Sequence, residues 1–267
     1  MPNIETDLTE IPRKDLHVFY VLDTSGSMAG TRISTLNRAM EESVQALKEV
    51  AKSNGDAKLK LAVLEFNSSC KWVTSNGPED LEEDFFWDPL SAGGLTDVGA
   101  ALKELGSKLS RKGFLNSMTG ALMPIIIFMT DGFATDNYEK ALAEIRNNRW
   151  FQYGTKIGFA VGDDADLAMI SSVVGNSEAV IHTNDLELFK KLLRFVSVTA
   201  SKLVSQSTTT GTQPSAGDLV KTAIETVAED KGDDVTVKLD PTQYNPEPAP
   251  VDPPAPSGGD WDDDGEW

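Results

Sequence analysis

Apolar runs alternate with amphipathic segments over the first three quarters of the chain. The apolar runs are continuous and do not alternate with polar residues, which is typical of strands that are buried on both faces of a sheet. They predict strands over residues 16–23, 59–67, 124–131, 156–161 and 179–182. Residues 71–73 predict a short edge strand paired back to residues 59–66. Helical periodicity predicts helices over residues 33–52, 98–110, 138–149, 166–173 and 185–204. This alternation predicts an α/β fold, a doubly wound, mostly parallel sheet flanked by helices.

The composition changes after residue 206. We divide the chain into an N-terminal arm (1–13), the α/β domain (14–206), a linker (207–240) and a Pro-rich, acidic tail (241–267). Within the linker, residues 218–227 predict a short amphipathic helix and residues 234–239 a strand. The tail has few apolar residues and high charge, so we expect it to be disordered.

Polar side chains follow the first predicted strand at once. Asp23, Ser25 and Ser27 alternate along the chain, so in an extended segment they project from one side. Gly26 lets the backbone turn tightly between them. One carboxylate and two hydroxyls therefore come together where a buried strand ends.

Two later segments carry matching groups. Thr96 lies in a glycine-containing loop (93–97) just before a predicted helix, and Asp131 ends the apolar strand 124–131. The combined set contains oxygen ligands and no Cys or His, which suits Mg²⁺ or Mn²⁺ and disfavours Zn²⁺. The predicted metal ligands are Asp23, Ser25, Ser27, Thr96 and Asp131.

The three segments, in this order, resemble the metal-ion-dependent adhesion site of the von Willebrand factor A family. The segments at 25–30, 94–102 and 128–136 are similar to bacterial TerY-like proteins, which are associated with tellurium-resistance and stress-response gene clusters. The resemblance covers residues 14–203 and implies a Rossmann-like fold and a non-enzymatic protein-interaction module. It further implies a protein kinase and a PP2C-type phosphatase as partners, and a role in phage defence also fits.

The resemblance also implies ligand roles. Ser25 and Ser27 would contact the metal directly, Asp23 and Asp131 would act mainly through bound water, and Thr96 would bind directly or through water. One coordination position would stay open for an Asp or Glu of a partner protein.

Enzymatic alternatives lack necessary residues. A haloacid-dehalogenase-type phosphatase needs a second Asp two positions after Asp23, and Ser25 stands there. The aspartic-protease motif occurs in no second copy, and neither Gly-Lys-Ser/Thr nor Gly-x-Gly-x-x-Gly is present at Gly26 or Gly30. We therefore predict that the protein is not an enzyme, with a magnesium-dependent phosphatase as the less favoured alternative.

The charge of the chain narrows the choice of partners. The net charge of −18 disfavours nucleic acid and anionic membranes, which require clustered Lys and Arg. Residues 1–15 show no secretory signal, no apolar stretch is long enough to span a bilayer, and Cys70 is the single cysteine, so we expect a cytoplasmic location.

The acidic tail has two interpretations. Residues 207–267 hold 14 acidic and 3 basic residues, and such a run is often only solubilising. Trp261 and Trp267 lie among the acids, and tryptophan is a preferred interface anchor, so the tail is alternatively a docking peptide. It would then occupy the metal site in cis as an inhibitor, or in trans to build oligomers.

Three further side-chain assignments depend on local pattern. Asp97 and Asp136 each precede a predicted helix and are expected to cap it. The aromatic residues 85–87 are expected to anchor the loop that carries Thr96, or else to form part of a partner surface. His17 and His182 are expected to have structural positions only.

Overall fold

The structure, a computed structural model, describes residues 12–74, 77–83, 85–210 and 215–231. Its strands are β1 (Lys14–Asp23), β2 (Ala57–Phe66), β3 (Cys70–Trp72), β4 (Glu79–Asp80), β5 (Ile125–Thr130), β6 (Thr155–Val161) and β7 (Val180–Thr183). Its α-helices are α1 (Thr31–Ser53), α2 (Val98–Lys108), α3 (Tyr138–Ile145), α4 (Arg149–Tyr153), α5 (Leu167–Val174), α6 (Leu186–Thr210) and α7 (Ala216–Lys231). Short 3-10 turns cover Gly26–Met28 and Ser177–Ala179.

The described strands form one seven-stranded sheet with β1 near its centre. The order is β3-β2-β1-β5-β6-β7, with β4 also paired to β2. All pairs are parallel except those of β3 and β4 with β2. The predicted mostly parallel sheet is thus confirmed. Strands β2 and β5 lie on opposite sides of β1, so the direction in which strands are added to the sheet reverses at β1. At such a switch point the carboxyl ends of the strands form a crevice suited to ligands.

Strand β1 is buried on both faces, which explains its unbroken apolar run. Tyr20 and Leu22 join one core cluster, which includes residues of α1, α6 and α7, whereas Phe19 and Val21 join the cluster that includes α2, α3 and α5. The Tyr20 hydroxyl donates to Ser197 Oγ (2.6 Å) and so connects β1 with α6. This bond fixes β1 to α6 three residues before Asp23, the last residue of the strand.

Two predicted segments differ in the structure. The helix predicted over 138–149 is broken, because the side chain of Asn148 accepts hydrogen bonds from Trp150 N–H (2.9 Å) and Phe151 N–H (3.4 Å) and starts α4. The helix predicted inside the linker lies within α7 and is packed on the domain, with Leu219, Val220 and Ala223 buried in the core. The domain therefore extends beyond residue 206. The predicted strand 234–239 and the tail 241–267 lie outside the described residues, as does most of the arm 1–13.

The aromatic segment 85–87 anchors a different element from the one predicted. Phe85 and Trp87 pack on the core cluster that includes α1, and Trp87 Nε1–H donates to Asn37 Oδ1 of that helix (3.2 Å). Phe86 is 75% exposed. The predicted edge strand at 71–73 is confirmed as β3, in which Trp72 lies opposite Leu64 of β2. Among the described residues, no helix is both long and apolar enough to cross a membrane.

Candidate metal centre

Asp23 ends β1 as a fully buried carboxylate. Ser25 N–H donates to its Oδ1 (2.7 Å), and the Thr130 hydroxyl donates to its Oδ2. Burial raises the pKa of Asp23, the hydrogen bonds from Ser25 and Thr130 lower it, and the negative charge of Asp131 raises it further. Two neighbouring buried carboxylates are costly without a cation, so the site favours positive charge.

A chain of oxygen atoms joins the end of β1 to the end of β5. Ser25 Oγ lies 3.0 Å from Ser27 Oγ, and Ser27 Oγ–H donates to Asp131 Oδ1 (2.7 Å). Asp23 ends β1 and Asp131 directly follows β5, and because these strands are parallel neighbours, both residues lie at the same edge of the sheet. Four of the five predicted ligands therefore form one cluster.

The loop that carries Thr96 is joined to the end of β1 by backbone hydrogen bonds. Gly26 N–H donates to Gly94 O (3.0 Å) and Gly93 N–H donates to Thr24 O (2.8 Å), so the 93–97 loop is bound to the 23–27 loop. A Cβ at Gly26 would lie 3.3 Å from Gly94 O, so this close approach favours glycine. Thr96 itself is buried, and its hydroxyl forms no hydrogen bond to the other four predicted ligands, all of which the structure describes.

The predicted caps of α2 and α3 are both wrong, because Asp136 caps α2 and Asn137 caps α3. The Asp136 carboxylate accepts from Gly99 N–H (2.9 Å) and Ala100 N–H (3.0 Å), so it caps α2. Asp97 instead accepts from the Thr135 hydroxyl (2.9 Å), and Asn137 caps α3. The reason is that the 131–137 loop crosses the start of α2 and places Asp136 at its free N–H groups. These bonds connect the Thr96 loop to the Asp131 loop.

Arg32 is a member of the site that the sequence motifs did not reveal. Its Nη1 lies 2.6 Å from Asp131 Oδ2, in an ion pair whose arginine side chain is 29% exposed and whose aspartate is buried. Arg32 lies in the first turn of α1, where the helix dipole disfavours a cation. That mismatch was the available signal that Arg32 has an acidic partner.

The residues fit a hard divalent cation. The cluster offers hydroxyl and carboxylate oxygens, and nowhere in the described part of the chain do three His, Cys, Asp or Glu side chains come together as an alternative. Asp23 and Asp131 keep free lone pairs beside their hydrogen bonds. Oxygen donors of this kind are the ligands that Mg²⁺, Mn²⁺ and Ca²⁺ prefer.

Comparison with known families decides the classification of the fold. The model of the von Willebrand factor type A domain matches residues 17–195, which span β1 to α6 and contain all five predicted ligands. The chain belongs to the von Willebrand factor type A domain family. The comparison with curated proteins gives no match.

Solved structures of von Willebrand factor type A proteins share the fold. Proximal thread matrix protein 1 from the mussel byssus, "with zinc occupied MIDAS motif", has 18% identity and a TM-score of 0.53, over 70% of this chain and 48% of its own. The domain from Catenulispora acidiphila has 16% identity and a TM-score of 0.50, over 70% and 42%. The ArnB paralog VWA2 from Sulfolobus acidocaldarius has 15% identity and a TM-score of 0.50, over 68% and 44%. The chain thus spans less than half the length of these structures.

Proposed function

We propose that the protein is a non-enzymatic, metal-dependent interaction module that binds a carboxylate of a protein partner. The observation that carries this proposal is the oxygen cluster of Ser25, Ser27 and Asp131 beside the buried carboxylate of Asp23. It lies at the carboxyl edge of the sheet, where ligands of such folds bind.

The side chains of the cluster would bind an ion in two ways, directly and through water. Ser25 and Ser27 offer their hydroxyl oxygens directly, whereas Asp23 and Asp131 are held by Ser25, Thr130, Ser27 and Arg32 in positions suited to water-mediated contact. When bound, the ion supplies a Lewis-acidic position that a partner carboxylate completes. Thr96, whose N–H donates to Thr135 Oγ1 (3.0 Å), would contact the ion directly or through water.

The oxygen donor set favours Mg²⁺ or Mn²⁺. The printed description of the mussel protein names zinc at its motif, so zinc belongs in the same titration. The predicted set contains no sulfur or imidazole ligand, so we expect the site to show no special preference for zinc.

The surroundings of the site support a partner whose acidic residue has apolar neighbours. Leu95 is 58% exposed and Phe133 is 64% exposed, and they lie on the two loops that carry Thr96 and Asp131. Exposed large apolar side chains beside a polar site are typical of interaction surfaces. We call Leu95 and Phe133 the apolar rim.

The narrower role rests on motif similarity to TerY-like proteins. On that basis we propose a bacterial protein that works in a tellurite-resistance, stress or phage-defence system, with a protein kinase and a PP2C-type phosphatase as partners. Cys70, the only cysteine, is a free thiol and fits a reducing compartment.

The apolar rim also favours the acidic tail as an occupant. Trp261 and Trp267 flank four acidic residues, which matches a carboxylate-binding centre with apolar neighbours. Helix α7 packs against α6 and ends at Lys231. In the sequence, 36 residues follow Lys231. A flexible chain of that length spans roughly 30 Å. The tail would act in cis as an inhibitor or in trans in self-assembly.

The deciding experiment is titration of the purified chain with Mg²⁺, Mn²⁺ and Zn²⁺ by calorimetry, beside the variants Asp23→Ala and Ser34→Ala. Ser34 is an exposed serine in the first turn of α1 and serves as the matched control. We expect one ion per chain in the wild type and in Ser34→Ala, and loss of that binding in Asp23→Ala. Metal-dependent turnover of generic phosphoesters would instead favour the phosphatase alternative.

A further inference from the structure

We propose that Arg32 sets the charge of the metal centre, so that the loaded site binds its ion less tightly and an anionic partner more tightly. This inference rests on the proposed metal binding. It concerns a residue outside the five predicted ligands, and it makes Arg32 a second element that recognises the partner's carboxylate.

The two oxygen atoms of Asp131 have different donors. Oδ1 accepts from Ser27 Oγ (2.7 Å), and Oδ2 accepts from Arg32 Nη1 (2.6 Å). Arg32 Nη1 also lies 3.4 Å from Ser27 O. The guanidinium therefore contacts two of the predicted ligands directly, Ser27 and Asp131.

The backbone at Gly162 leaves space for the guanidinium group of Arg32. Gly162, which follows β6, has a φ of +90°, and a Cβ there would lie 2.6 Å from Arg32 Nη2. The positive φ favours glycine at this position, and the absence of a Cβ lets the guanidinium lie against the backbone. Arg32 is thus placed between the backbone at Gly162 and the carboxylate of Asp131.

The charges of the site give this placement a consequence. With both ionised, Asp23 and Asp131 contribute a formal charge of −2, and Arg32 reduces it to −1. A divalent ion would then leave the loaded site at +1, whereas without Arg32 it would be neutral. Arg32 therefore opposes the ion and attracts a carboxylate.

The guanidinium also has donors available for a partner. It carries five N–H groups, and its side chain is 29% exposed, so it can donate to an incoming carboxylate while it holds Asp131. A carboxylate at the open coordination position would then be recognised by both an ion and an arginine.

Mn²⁺ alone is the first probe. Its dissociation constant is measured by electron paramagnetic resonance for the full chain and for Arg32→Gln, Arg32→Ala, Arg32→Lys and Arg38→Gln. Arg38 is an exposed arginine on the same helix and is the matched control. We expect Arg32→Gln and Arg32→Ala to bind Mn²⁺ about tenfold more tightly, since each removes one nearby positive charge. Arg32→Lys and Arg38→Gln should stay within about threefold of the wild type.

Acetate is the second probe, and it reports on the partner side. Added to the Mn²⁺-loaded protein, it displaces metal-bound water, which lowers the water proton relaxation rate. We expect Arg32→Gln to need several-fold more acetate than the wild type, and Arg32→Lys to restore part of the loss.

The outcomes separate the two proposals. Equal or weaker Mn²⁺ binding by both neutral variants would overturn the charge-setting role, and unchanged acetate affinity would overturn the role in anion recognition. Absence of Mn²⁺ binding by the wild type would overturn the proposed function itself. Thermal unfolding of each variant shows whether it is folded, and because two neutral side chains of different size are compared, agreement between them excludes a packing artefact.

Discussion

The Ser27 hydroxyl donates a 2.7 Å hydrogen bond to Asp131 Oδ1, although the two residues lie 104 positions apart. This bond joins the loop after β1 to the loop after β5. It places a hydroxyl ligand and an acidic ligand in one arrangement before any ion arrives, which reduces the ordering that binding requires.

Ser27→Ala should weaken metal binding. The change removes one oxygen ligand and the donor that orients Asp131, so we expect at least a tenfold rise in the Mn²⁺ dissociation constant. The buried Asp131 also loses this donor, so the free energy of unfolding without metal should fall by about 1–2 kcal/mol. Calorimetric titration and urea unfolding measure the two quantities. An unchanged dissociation constant, with Ser34→Ala as control, would remove Ser27 from the ligand set.

Metal should stabilise the fold. A ligand at one hundred times its dissociation constant adds about 2.7 kcal/mol to the free energy of unfolding, which corresponds to a melting temperature several degrees higher. Thermal scans with Mg²⁺ and with EDTA measure this difference. Asp131→Asn should abolish the metal-dependent rise, because it removes a charge from the ligand set; a rise of equal size in that variant would place the ion elsewhere.

Much of the site follows from sequence, because strand ends are local signals. The run before Asp23 predicts a buried strand, and parallel strands bring their carboxyl ends together, so Asp23 and Asp131 could be expected to meet. The helix dipole suggests that Arg32 has an acidic partner, but it does not identify Asp131, which lies 99 positions away and meets Arg32 only in the folded chain.

The wrong assignment of the caps has the same origin. Asp97 and Asp136 each precede a helix, and both are plausible caps from spacing alone. Only the crossing of two loops places Asp136 over α2. Likewise, periodicity predicts a helix around residues 218–227 but not the surface that buries it.

Helix α7 should contribute to domain stability. Leu219 is 1% exposed, so Leu219→Ala should lower the free energy of unfolding by about 2–4 kcal/mol through lost burial and a residual cavity. Lys221→Ala, on the exposed side of the same helix, should change it by less than about 0.5 kcal/mol. Urea unfolding compares them. Equal, small effects would mean that α7 is a linker element after all.

The apolar rim should matter for the tail but not for the metal. A chain lacking residues 241–267 should bind a synthetic peptide of residues 257–267 in the presence of Mg²⁺, and EDTA should abolish the binding. Leu95→Ser with Phe133→Ser should weaken peptide binding about tenfold and leave Mg²⁺ affinity unchanged, since neither side chain is a predicted ligand. Fluorescence anisotropy of a labelled peptide measures this. Absence of metal-dependent peptide binding would exclude the tail as the occupant.

His17 should make the fold less stable in mild acid. Burial, with a smaller effect of the nearby Lys60 charge, lowers the pKa of His17 from 6.5 to about 4, although a hydrogen bond with the backbone of Phe114 opposes the shift. Between these two values the unfolded chain binds the proton and the folded chain does not, so stability falls as the pH drops from about 6.5 to 4. His17 should account for about 2 kcal/mol of the loss between pH 7 and pH 5. Urea unfolding at both pH values, in EDTA to exclude metal effects, should show a correspondingly smaller loss for His17→Leu. Parallel losses in the two proteins would mean that His17 is protonated equally in the folded and unfolded states.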